Sequence, residues 1–118
     1  MAGSTLQMVQ ELKAAKFPSQ VTKGYYDVIR ELISALALLE GSKTQGEGAH
    51  QDLIDYLRAN YKEKFGEHLL YLLEELRIIR NKIEYDGFFV KAEYLERNQK
   101  YLEKIIQRLN EIIAKKLP

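Results

Sequence analysis

The stretch EHLLYLLEELRIIRNKIE, residues 67–84, decides the fold. Within it Leu69, Leu72, Leu73, Leu76, Ile79 and Ile83 recur at intervals of three and four. That spacing lines one face of a helix turning once every 3.6 residues. Asp86-Gly87 then supplies a turn signal. Upstream, Leu53, Ile54, Leu57 and Tyr61 predict a helix over 49–64, which Phe65-Gly66 separates from the leucine-rich one. Earlier still, Tyr25, Val28, Ile29, Leu32, Ile33, Leu36 and Leu39 predict a helix over 19–40, with Ser19 offering a cap at its start and Gly41 one at its end. Pro18 disfavours helix at Phe17, so a short helix over 5–16 reads as an appendage. Downstream, Tyr94, Leu95, Tyr101, Leu102, Ile105, Leu109 and Ile112 predict a last helix over 91–116. Glu93/Arg97, Glu96/Lys100 and Glu111/Lys115 pair along its surface. Ile106 and Ile113, beside its main stripe, suit either the core or an interface.

The connections are short, and the glycine-rich run 41–48 has the length of a helix connection rather than of a domain linker. Neighbouring helices are therefore expected to run antiparallel. No segment alternates at period two. The expectation is an all-α, up-and-down antiparallel bundle of four to five helices, forming one domain over residues 1–118.

Composition agrees. The chain has 118 residues, 46% hydrophobic and 30% charged, enough apolar content to bury a core without disulfides or metal. It has no cysteine, which excludes disulfides, thiolate ligands and thiol nucleophiles and fits a reducing compartment. No apolar stretch approaches the ~20 residues of a membrane span, and residues 1–5 do not open a signal peptide. A cytoplasmic location follows as the plain expectation. Net charge is +1 but uneven: residues 1–76 hold 8 basic against 11 acidic side chains, and residues 77–118 hold 10 against 6. The basic C-terminal part could favour a polyanion, though most such surfaces are simply solvated.

Several chemistries drop out. Two histidines, His50 and His68, are too few for a multi-histidine metal site, and Glu47-Gly48-Ala49-His50 starts in the glycine-rich run instead of inside a helix. No phosphate-binding glycine loop follows a strand. The reading includes no cofactor and no metal. Tyr25, Tyr26, Tyr94 and Tyr101, at helical spacing, read as half-buried packing and not as a base-stacking platform.

The candidate site is the end of the decisive helix, Arg77-Ile78-Ile79-Arg80-Asn81-Lys82-Ile83-Glu84-Tyr85-Asp86-Gly87. A bland reading is available: cations at a helix C-terminus meet the negative end of the dipole, worth about 0.3–1 kcal/mol. The alternative is a phosphate site. Asn81 and Tyr85, four apart, share a face, and Arg80 lies about 140° round the helix from Tyr85. If these border one groove, a planar guanidinium, an amide and a phenol offer forked recognition of phosphate.

Arg80-Asn81-x-x-x-Tyr85 resembles the hallmark of the HEPN family, an Arg, a polar residue such as Asn, and a His four to six residues after the Arg. The resemblance extends to Tyr25-Tyr26-Asp27-Val28-Ile29-Arg30-Glu31, which is similar to the family's early helix. Gly41-Ser42-Lys43-Thr44 resembles its glycine/lysine loop, and His50-Gln51-Asp52-Leu53-Ile54 the helix that begins near a His. It covers about residues 20–115. It implies a small helical bundle acting on RNA without metal, as a homodimer that brings two motifs together, in many cases as the toxin partner of a minimal nucleotidyltransferase antitoxin. Carried over, Arg80 would bind or polarise phosphate, Asn81 would orient it, Tyr85 would hold the histidine position, and Arg77, Arg80 and Lys82 would contact the RNA or nucleotide. Tyrosine departs from the pattern: a phenol of ordinary pKa about 10 is ionised to only about one part in a thousand at pH 7, so it is a poorer general base than histidine. The resemblance therefore implies an RNA-associated domain whose cleavage is weak or lost. Outside it stands a second reading, a non-catalytic helical dimerisation or interaction module in which the Arg80 cluster only ends a helix.

Overall fold

The computed structural model describes residues 17–41 and 49–117. They form three helical elements, α1 (Pro18–Leu39), α2 (Ala49–Asp86) and α3 (Ala92–Lys116), with no strand among the described residues. The helix expected over 5–16 lies outside the described residues.

The all-α expectation stands, but the helix count differs. The two helices expected over 49–64 and 67–84 are joined without a loop into α2, whose path is broken at Tyr61 (φ −135°, ψ 23°) and Gly66 (φ 77°, ψ 163°). A positive φ with extended ψ is accessible essentially to glycine alone, so Gly66 turns the chain between two straight segments. Side chains brace the break. Arg58 pairs with Glu67 at 3.4 Å and Glu74 at 3.0 Å, Lys62 pairs with Glu67 at 3.3 Å, and Arg108 of α3 donates to the Lys64 carbonyl.

Helix starts also differ in detail. Phe17, not Ser19, is the N-cap of α1, because Pro18 fits the first helical turn, where its missing N–H costs nothing. Ser19 instead anchors a distant turn. Its Oγ accepts the Val90 N–H at 2.7 Å, pinning the α2–α3 connection to the start of α1. That connection begins at Gly87 (φ 67°), past which the Phe88 N–H reaches back to the Lys82 carbonyl at 3.1 Å.

Contacts give the directions. Lys23 and Asp27 of α1 meet Glu84 and Arg80 of α2, so these helices run antiparallel. Tyr25 meets Gln99 and Glu103, and Glu40 meets Lys116, so α1 and α3 run the same way. The core is a single apolar cluster to which α1 gives Tyr26, Ile29, Ile33 and Leu36, α2 gives Leu57, Leu70, Leu73 and Leu76, and α3 gives Leu102, Ile105 and Leu109. Val28 and Leu39, expected on the inner stripe of α1, are instead each 46% exposed, because the buried face follows Thr22, Tyr25, Tyr26, Ile29, Ile33 and Leu36. Ile106 and Ile113 pack against the core. Tyr25 and Tyr26 are buried, and Tyr101 packs half-buried against the same cluster, as the packing expectation required. No helix of the described residues is long and apolar enough to cross a membrane.

At the far end of the bundle Glu40 ties the helices together. Its carboxylate accepts from the Tyr56 and Tyr61 hydroxyls of α2, the latter at 2.6 Å, and pairs with Lys116 of α3 at 3.0 Å. Burial works against its ionisation, but Tyr61 and Lys116 outweigh that and hold the carboxyl below its ordinary range.

Candidate functional site

Antiparallel packing of α1 on the second half of α2 sets the site. Arg77 and Arg80, three residues apart on α2, fall on the flank that faces α1. There Arg80 meets Asp27, and Arg30, three residues further along α1, acts with them on the Tyr26 ring. Arg80 Nε lies 3.7 Å from Asp27 Oδ1, with side chains 16% and 35% exposed. At that distance the charges attract without closing a hydrogen bond. Asp27 Oδ1, Arg77 Nε and Arg80 Nε are buried atoms with no hydrogen-bond partner among the described residues.

Tyr26, 2% exposed, reports the local field. Burial pushes its phenol up to about 12, while Arg77, Arg30 and Arg80 pull the other way and Asp27 adds a small rise. Three guanidinium groups and one carboxylate thus act on one buried ring, and the balance is positive. One turn further along α2, Lys23 and Glu84 pair at 2.5 Å and cancel, holding the Glu84 carboxyl below its ordinary range.

No family model, curated protein or solved structure matches this chain.

Of the residues singled out in the sequence, Arg77 and Arg80 are brought together in the niche. Asn81 follows, half-buried. Lys82 is not with them: it points about 160° away from Arg80 round the helix, and its Nζ sits 5.8 Å from the centre of the Phe88 ring. Tyr85 is 77% exposed on the outer face of α2. His68, with its ring edge-on to Tyr101 at 4.8 Å, lies twelve residues before Arg80, about 18 Å along the helix. It is too distant to act as a base beside Arg80 in the same chain. The His50 side chain lies outside the described residues.

Sequence reasoning passed over Asp27 and Arg30 as site residues, although both stand in the segment that resembles the family's early helix. The available signal was their spacing. Charged residues three apart on the shoulder of an apolar stripe must either reach water or meet charge on the packed helix, and here Asp27 meets Arg80.

Proposed function

We propose that this chain is an HEPN-like, RNA- or nucleotide-associated domain that takes phosphate at the Arg77–Arg80 niche. The observation that carries the proposal is the pair Arg77 and Arg80 set beside a nearly buried tyrosine between α1 and α2, with Asp27 3.7 Å from Arg80. Arginines held in place by packing have less freedom to lose when they grip a phosphate, and their planar forks suit its oxygens. Asn81 adds an amide at the rim. Lys82, on the far side of α2, contributes to the general positive field and does not reach the same phosphate.

Metal-independent cleavage is weak or absent on this reading. Tyr85, at the family's histidine position, lies exposed and away from the niche, so among the described residues no poised base stands next to Arg80. The resemblance further implies a homodimer and a toxin-type role beside a minimal nucleotidyltransferase antitoxin, and it sets the HEPN-like core at about residues 20–115 of a four- or five-helix bundle. Tyr85's outward placement favours the second reading, a non-catalytic interaction module, for the outer face of α2.

The test is cleavage of mixed single-stranded RNAs in chelator by the full chain, Arg80→Ala and Tyr85→His. The reading expects little or no cleavage by the native chain, and none gained in Tyr85→His, because an imidazole at position 85 faces away from Arg80. Robust cleavage that survives Arg80→Ala would sink the assignment of the niche.

A further inference from the structure

The turn between α2 and α3 borders a cleft of about 300 Å³ that the niche does not use. Ile79 of α2, Phe88, Phe89 and Val90 of the turn, and Tyr94 of α3 wall it with apolar surface. These walls are fixed before any guest arrives. Val90 is 5% exposed and its N–H is held by Ser19 Oγ at 2.7 Å. The Lys82 carbonyl holds the Phe88 N–H at 3.1 Å, and Lys82 Nζ rests 5.8 Å from the centre of the Phe88 ring. Phe89 stands at the mouth, 84% exposed, where a guest would cover it.

We infer that this cleft binds a small aromatic carboxylate, its rings among Ile79, Phe88 and Tyr94 and its charge at Arg97. Size sets the body of the guest. An apolar cavity of about 150 Å³ holds one benzene ring, so the cleft has room for two fused rings. Phenyl and phenol walls favour a flat aromatic guest, which meets them edge-to-face or offset-stacked. The rim sets the sign of its charge. Lys91 and Arg97 line the cleft, and neither closes an ion pair among the described residues, although Glu93 lies four residues before Arg97 on α3. The Arg97 fork is thus open to a carboxylate, which it can hold through two parallel hydrogen bonds. Its charge is felt inside the cleft: burial and Glu75 push the Tyr94 phenol up, and Arg97 works against them. Two carboxylates oppose the guest. Glu93 occupies the first turn of α3, where the helix dipole favours it, and Glu75 acts on the Tyr94 phenol.

The cleft does not rest on the reading of the niche. Ile79 and Arg80 point about 100° apart round α2, one towards the start of α3 and the other towards Asp27 of α1, so neither binding result decides the other.

An amide chemical-shift titration of the full chain by nuclear magnetic resonance tests the inference, with naphthoate as probe and naphthalenemethanol as its neutral counterpart. Far-UV circular dichroism verifies that each variant is helical. Naphthoate is expected to shift the Phe88, Phe89, Val90 and Lys91 amides to saturation, with a Kd of about 1 mM or tighter. The alcohol, and naphthoate with Arg97→Gln, are expected to bind about tenfold more weakly. Phe89→Ala, at an exposed site, is expected to cost about threefold or more, and Lys104→Ala, on the exposed surface of α3, nothing. No saturable shift at the turn, equal binding of the alcohol, or undiminished binding in Arg97→Gln overturns the inference. So does an affinity that falls as chain concentration rises, which would put a second copy on the cleft instead.

Discussion

Replacing Gly66 by alanine asks whether α2 is broken or straight, because the two cases differ in sign. In a continuous helix, an exposed Gly→Ala change stabilises by about 0.8–1 kcal/mol. At the observed φ of 77° and ψ of 163°, alanine is instead strained, by about 1–3 kcal/mol. A Cβ at position 66 meets nothing within 4 Å, so no clash adds to the cost and backbone strain is the whole effect. At about 4 °C per kcal/mol for a chain of this size, thermal unfolding followed by circular dichroism should show Gly66→Ala melting about 4–12 °C lower. Gly24 provides the internal control. It lies inside α1, its φ is not positive and its added Cβ also meets nothing, so Gly24→Ala should stabilise by up to about 1 kcal/mol. If both variants are stabilised, α2 runs straight through Gly66, and the bracing by Arg58 and Arg108 holds no break.

Further predictions concern the niche, the Glu40 tie and the core. Asp27→Asn removes the carboxylate paired with Arg80 and should tighten binding of single-stranded RNA, while Arg80→Ala should weaken it and flatten the slope of log affinity against log salt by about 0.7. Anisotropy titrations over a range of salt read both. Because folding depresses the Glu40 pKa, its contribution is present above the unfolded carboxyl's value of about 4.3 and is lost as pH falls through the lower folded value. Denaturant midpoints of Glu40→Gln should therefore fall below the native chain's near neutrality and converge with them in acid. Tyr61, raised to about 12 by burial and by its hydrogen bond to Glu40, should make the native chain lose stability between pH 10 and 12, more than Tyr61→Phe does. Leu73→Ala, in a fully buried position, should cost about 2–5 kcal/mol in the same denaturation assay.

Long apolar stripes at helical spacing were legible because burial acts on whole faces: α1 and α3 lie within a residue or two of the ranges read from sequence. The join of the two middle helices was not legible in kind. Phe65-Gly66 marks a break equally well for a loop and for a single glycine turning a helix, and only the bracing by Arg58, Lys62 and Arg108 selects the second. The site was legible by halves. Arg77 and Arg80 stood out in one segment, whereas Asp27 and Arg30 became partners only when α1 packed antiparallel on α2. Helical angle also separates residues that sequence adjacency joins, since Lys82 and Tyr85 follow Arg80 closely in the chain yet face other directions.

On the proposed reading the Arg77–Arg80 niche binds a phosphate backbone. Its most direct test is a binding isotherm of single-stranded RNA to the full chain in chelator, compared with Arg77→Ala, Arg80→Ala and, as a control on the exposed surface of α3, Lys104→Ala. Each niche variant is expected to lose about tenfold or more in affinity while Lys104→Ala binds like the native chain. Absence of binding, or an equal loss in all three variants, would contradict it.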